Sequence, residues 1–136
     1  MAKKGNKGEE EGKKNKFKSN VLPGKNIVAY ARANNVRISP RKVRLVLDLI
    51  RGKDINLALR FLVNSNTKAA RIVRRVLQDA AANARDFGYT DMDALWVIGA
   101  FAGEGRCFKR VKPRARGRAD VIKKRSSNIT LVLGEA

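Results

Sequence analysis

From Phe108 to Arg125 the chain reads FKRVKPRARGRADVIKKR, with nine basic residues and one acid, Asp120. Lysine brings a point charge to a phosphate, whereas the planar arginine fork can grip it in two places and also stack on a base. Arg114, Arg116 and Arg118 alternate with Ala115 and Gly117. In an extended chain that spacing puts the three guanidinium groups on one side, with small residues between them. The segment therefore predicts a nucleic-acid contact surface. Lys109, Arg110, Lys112, Arg114, Arg116 and Arg118 form its leading part, and Lys123, Lys124 and Arg125 follow on the return. A charge run is commonly just a solvated linker; the strand-like residues resuming at Ser127 favour a hairpin instead.

Two further groups could meet phosphate. ISPRK at residues 38–42 sets Ser39 and Pro40 at the start of a helix, whose free N–H groups, with Arg41 and Lys42, suit an anion. Simple capping explains the same residues. Lys68, Arg71 and Arg75 lie on the polar face of a long helix, which would be charged with or without RNA.

Catalytic and metal chemistry finds little support. The chain has no histidine, so the commonest metal ligand and general base is missing. Asp79, Asp86, Asp91 and Asp93 match no calcium loop. Cys107 has no partner base and reads as a strand residue. Gly103, Glu104 and Gly105 lack the lysine and hydroxyl of a phosphate-cradling loop and suggest an irregular strand. Trp96 and Phe101 fall in an apolar run and are expected in the core; Phe108, at the charged end, is the better candidate for stacking on a base. We expect no enzyme activity, no metal and no cofactor.

The totals agree. With 31 Lys and Arg against 12 Asp and Glu, the 136 residues carry a net charge of +19, a self-repulsion that a polyanion would relieve. No run approaches the roughly 18 apolar residues of a spanning helix, and no membrane partner is expected. Residues 1–26 hold eight lysines among Gly, Asn and Ser and read as a flexible basic tail. The tail resembles neither a signal peptide nor a transit peptide. With a single cysteine, this fits a cytoplasmic protein.

The elements that must position these residues follow from periodicity. Residues 27–38 alternate as a strand, with Ile27, Ala29 and Ala31 on one face. A helix from Pro40 to about Arg51 carries Val43, Val46, Leu47 and Ile50 on one stripe, with Gly52 as its stop. Asp54 caps a short second helix with Ile55, Ala58, Leu59 and Leu62 inward. The third and longest helix has a stripe of Ala69, Ile72, Val73, Val76, Leu77, Ala80 and Ala84, and Gly88 ends it. Leu95–Phe101 and Ser127–Leu133 read as strands, the second with Ile129, Leu131 and Leu133 on the inner face. The expected fold is α+β: three helices packed on a small antiparallel sheet within one domain, residues 27–136, from which a long β-hairpin projects. A strand running from Leu95 to Lys112 would span roughly 55 Å at about 3.3 Å per residue. The body would be only about 30 Å across, so the far half, turning at Pro113 to Gly117, would need a pocket outside the domain.

The segments ISPRKVRLVLDLIRGK (38–53), AANA (81–84), KRVKPRARGRAD (109–120) and IKKRSSNIT (122–130), in this order and spacing, resemble the ribosomal protein L-twenty-two family of the large subunit. The resemblance covers about Ile27 to Leu133. It implies a protein that binds large-subunit (23S) ribosomal RNA and supports assembly beside neighbouring ribosomal proteins, and not a homo-oligomer. It also implies a hairpin, about residues 95–133, reaching the wall of the peptide exit tunnel. There its tip, about residues 108–118, would border the path of the nascent polypeptide and of macrolide antibiotics. Arg51 and Lys53, at the end of the first segment, join the RNA-contact candidates on the same ground. Ser126 and Asn128 stand where the family often has threonine and histidine. The competing reading is a free-standing nucleic-acid chaperone or architectural protein, which needs only salt-dependent phosphate binding.

Overall fold

The computed structural model describes residues 26–91 and 93–135. The expected basic tail, residues 1–26, lies outside the described residues except for Asn26. Strand β1 (Ile27–Val36) leads into helices α1 (Pro40–Ile50), α2 (Ile55–Asn64) and α3 (Lys68–Asp86). Strands β2 (Leu95–Glu104), β3 (Phe108–Pro113), β4 (Ala119–Lys124) and β5 (Ser127–Glu135) follow. The α+β class is as expected.

Strand β5 is the centre of a three-stranded antiparallel sheet, with β1 on one side and β2 on the other. Its inner face carries Ile129, Leu131 and Leu133 into the core, as the alternation predicts. The outer face is covered too, since Thr130 and Val132 are also buried. A central strand is shielded by both neighbours, and simple in-out alternation understates that. Phe101 supplies part of the cover: it lies beside Val132 across Gly99, where an added Cβ would meet the Phe101 ring at 3.0 Å. Trp96 and Phe101 are thus half-buried residues of the sheet's outer face rather than core residues.

The helices seal the other face. Val43, Val46, Leu47 and Ile50 of α1 are buried, as are Ile55, Ala58 and Leu62 of α2, while Leu59 packs at the edge. Along α3 the buried stripe is rich in alanine, and alanine lets a helix approach a sheet closely. Asn83 of α3 donates to the Tyr30 carbonyl of β1 at 2.9 Å. Gly52, at φ 76°, ends α1 in the left-handed conformation expected of it. Its N–H then donates to the Val97 carbonyl at 2.8 Å, joining the helical layer to β2.

The three helix starts differ. Asp54 accepts from the Leu57 N–H at 2.7 Å, and Thr67, which the sequence pattern did not single out, accepts from the Ala70 N–H at 3.2 Å. Ser39 has the extended backbone of a cap, yet its hydroxyl makes no capping bond. We therefore expect Thr67→Ala to cost about 1 kcal/mol in denaturant unfolding, and Ser39→Ala to cost at most a few tenths. Equal losses would contradict this assignment of the caps.

Candidate nucleic-acid interface

Strands β3 and β4 pair antiparallel from Phe108↔Lys124 to Pro113↔Ala119. Every residue from Lys109 to Arg125 is exposed. Residues directly opposite share a face. One face of the hairpin therefore carries Phe108, Arg110, Lys112, Asp120, Ile122 and Lys124; Val111 and Val121 lie on the other, flanked by Lys109 and Lys123. Positive charge is present on both faces, and the apolar pair sits in the middle of one.

The turn departs from the extended spacing expected for its arginines. Residues Ala115–Gly117 form a single 3-10 turn, with Arg116 at φ 58° and Gly117 at φ 68°. Two successive left-handed residues reverse the chain, so Arg114, Arg116 and Arg118 do not line one side of a strand. Arg114 is also engaged: its Nε donates to Asp120 Oδ2 at 2.7 Å. The turn thus spans Arg114–Arg118, one residue beyond the expected Pro113–Gly117.

The long strand expected from Leu95 to Lys112 is interrupted at Gly105–Cys107, and the return at Arg125–Ser126. Cys107 is consequently an exposed residue of the break and not of a strand. A clasp of polar groups holds this neck. Asn128 Oδ1 accepts from the Asn35 N–H at 2.8 Å, and Asn35 Oδ1 accepts from the Arg106 N–H at 3.3 Å. The buried Ser126 hydroxyl donates to the Arg106 carbonyl, and the Gly105 N–H donates to the Ser126 carbonyl at 2.9 Å. Asn128 Nδ2 reaches the Glu104 carbonyl at 3.3 Å. Asn35 takes φ 54°, a conformation that asparagine tolerates better than most residues. Beside the clasp, Arg37 and Arg106 lie 5.4 and 5.5 Å from the centre of the Phe108 ring. The ring expected to stack on a base is already flanked by two guanidinium groups.

The remaining candidate residues fall into three groups. Ser39, Lys42, Lys68, Lys123, Lys124 and Arg125 come together around one groove of about 770 Å³, although they span three separate parts of the chain. Arg37 joins them. A second, smaller recess holds Arg41 and Arg44 with Ser39 and Arg125. Arg51, Lys53, Arg71 and Arg75 stand outside both. Arg51, though exposed, is tied to the fold, donating to the Ala100 carbonyl at 2.7 Å and pairing with Asp48 at 2.9 Å. Lys53 sits 4.4 Å from the centre of the Phe61 ring, and Arg71 reaches back to Asn66 at 3.4 Å. Arg44 likewise holds the Ala102 carbonyl at 3.0 Å.

The phenol of Tyr89 is held above its ordinary pKa by burial first and then by the Glu135 carboxylate, at the opposite end of β5 from the neck. No group of three or more His, Cys, Asp or Glu side chains able to hold a metal occurs among the described residues.

These features define an α+β protein that presents its cations on an exposed hairpin and around an adjoining groove. The family described as "Ribosomal protein L22p/L17e" matches residues 31–134, and the chain belongs to that family, whose members are ribosomal structural proteins and not enzymes. It is 55% identical over 107 residues to the "Large ribosomal subunit protein uL22" of Thermus thermophilus, covering 79% of this chain and 95% of the relative. It is 52% identical over 107 residues to the protein of the same name from Thermoanaerobacter sp. (strain X514), covering 79% of this chain and 96% of the relative.

The clasp has a direct test. A Cβ at Gly105 would stand 2.7 Å from Ser126 Oγ and 3.2 Å from Asn35 Oδ1. Gly105→Ala should lower stability by about 1–3 kcal/mol, as overpacking does. An unchanged denaturation midpoint would show that the neck yields freely.

Proposed function

We propose that this protein is a structural constituent of the large ribosomal subunit in the cytoplasm, where it binds large-subunit (23S) ribosomal RNA and supports subunit assembly. Residues 27–136 act as one RNA-binding domain. The hairpin extends into the RNA, and its Arg114–Arg118 turn lines the nascent-peptide exit tunnel, beside the growing chain and the site of macrolide antibiotics. Neighbouring large-subunit proteins are its other partners.

The observation that carries this reading is the β3–β4 hairpin. It is exposed along its length, its cations outnumber its acids, and it has no apolar face broad enough to form a core of its own. Such a finger gains little by standing in water, because like charges repel and nothing is buried. Inside folded RNA the same charges displace condensed counterions and meet phosphates. The large-subunit names of the Thermus and Thermoanaerobacter relatives support the same reading. Arg110, Lys112 and Lys124 share a hairpin face and are the residues we assign to backbone phosphates, with Lys109 opposite Lys123 near the root and Arg116 and Arg118 at the turn. Ser39, Arg41, Lys42, Lys68, Lys123 and Arg125 extend the surface onto the body, and Arg71 and Arg75 contribute from the exposed face of α3. Arg51 and Lys53 border it while also bracing the fold.

Three measurements test the reading. In fractionated cell lysate the tagged chain should sediment with large subunits, and a chain found only in free ribonucleoprotein would instead support a general nucleic-acid chaperone. Replacing Arg110, Lys112 and Lys124 with alanine should weaken binding to large-subunit RNA. The dependence of log affinity on log salt should become shallower by about 0.7–0.9 for each phosphate that is no longer neutralised. Shortening the turn at residues 114–118 should alter macrolide sensitivity while leaving sedimentation intact. An unaltered drug response would remove the turn from the tunnel.

A further inference from the structure

The groove where the cations converge has a floor as well as a rim. Ile38, Leu45, Val46 and Ala69 form the floor, and Leu45 is 68% exposed, unusually open for a leucine. Around them stand Arg37, Lys42, Lys68, Lys123, Lys124 and Arg125, and among the described residues no acid lines the space. The walls come from the start of α1, the start of α3 and the end of β4. The volume, about 770 Å³, is that of a cleft that takes a compact organic group, for which roughly 300–1,000 Å³ is usual.

A purely phosphate-binding surface would gain nothing from an open apolar floor. A floor of this kind, with six cations and the hydroxyls of Ser39 and Thr67 around it, matches a ligand that is flat and apolar in its centre and anionic at its edges. An unstacked nucleotide fits this description: its base can lie against aliphatic side chains while its flanking phosphates meet the lysines. A second copy of this chain would bring the same positive charge, and an acidic peptide brings a flat apolar face only where it carries an aromatic side chain, whereas every nucleotide joins such a face to a phosphate. We infer that the groove between the starts of α1 and α3 and the end of β4 is a pocket for the base of an unpaired, splayed-out RNA nucleotide, held by the surrounding cations. The inference rests on the RNA-binding reading above and adds to it a site that recognises single-stranded RNA, separate from the hairpin turn.

Lys123 and Lys124 belong both to the hairpin and to the groove, while the neck at Arg125–Ser126 joins them to the body. A nucleotide seated in the groove would therefore fix the root of the hairpin as well as the body. Anchorage and insertion of the finger would then be coupled through one short segment.

The test uses the full chain and two probes, a short oligouridylate and an oligomer of equal length lacking bases, both single-stranded. The oligouridylate should bind about tenfold more tightly, the discrimination expected if roughly 55 Å² of apolar base surface leaves water. The methyl resonances of Ile38 and Leu45 should shift with the base-bearing probe only. Leu45→Glu, an exposed substitution that spares the core, should abolish the discrimination while leaving the circular dichroism spectrum unchanged. Equal affinity for the two probes, or discrimination that survives Leu45→Glu, would overturn the pocket. Sedimentation of the unaltered chain with large subunits separates the two readings. If sedimentation persists without discrimination, the groove assignment alone fails; if discrimination persists without sedimentation, the ribosomal assignment alone fails.

Discussion

The constraint on which the whole arrangement depends is electrostatic: 31 cations must be placed in a small protein that has only 12 acids to answer them. Neutralisation within the protein is not the solution adopted. The ion pairs Arg51–Asp48, Arg114–Asp120 and Arg125–Glu104 all sit at exposed positions, where solvent screens them and each contributes little. Stability comes instead from an apolar core between one sheet face and three helices, with the cations kept outside it. The charge excluded from the core is concentrated on the hairpin and around the groove, where a polyanion can approach several positive groups at once.

A projecting finger is useful only if its direction is defined, and the neck supplies that definition. The sheet ends at Glu104 and Ser127, the hairpin begins at Phe108 and Lys124, and the residues between form no ladder. Side-chain and backbone hydrogen bonds from Asn35, Ser126 and Asn128 replace the missing strand pairing. Ser126 and Asn128 both hydrogen-bond across the neck. Asparagine does so without a ring that titrates near neutrality. The clasp also brings β1 into the support of the hairpin, although β1 is two strands away from β2 in the sheet.

Much of this fold was legible in the sequence because local patterns decide it. The stripe from Ala69 to Ala84, the proline at the start of α1 and Gly52 at its end each reflect the geometry of a few neighbouring residues. The β3–β4 pairing was legible from the strand-like residues that resume after the charge run, whereas the single long strand from Leu95 to Lys112 is broken at Gly105–Cys107. What could not be read depends on residues far apart in the chain. The neck joins Asn35 to residues near 106 and 128, and alternation gives no sign of such a contact. Arg37 beside Phe108 was missed for the same reason. The turn misled differently: in RARGR, period-two spacing suggested a strand, whereas Gly117 was the local signal for a left-handed turn that also draws in Arg116. Trp96 and Phe101 were expected inside because they are apolar, but a three-stranded sheet with helices on one face must cover its other face with something.

If the cations form an RNA-contact surface continuous from the groove to the hairpin turn, cryo-electron microscopy of native large subunits carrying this chain reveals it most directly. RNA density is expected along the Arg110–Lys112–Lys124 face of the hairpin and around the Arg37, Lys42 and Lys68 rim of the groove. A hairpin standing in solvent, with RNA reaching only the exposed faces of the helices, would contradict that continuity.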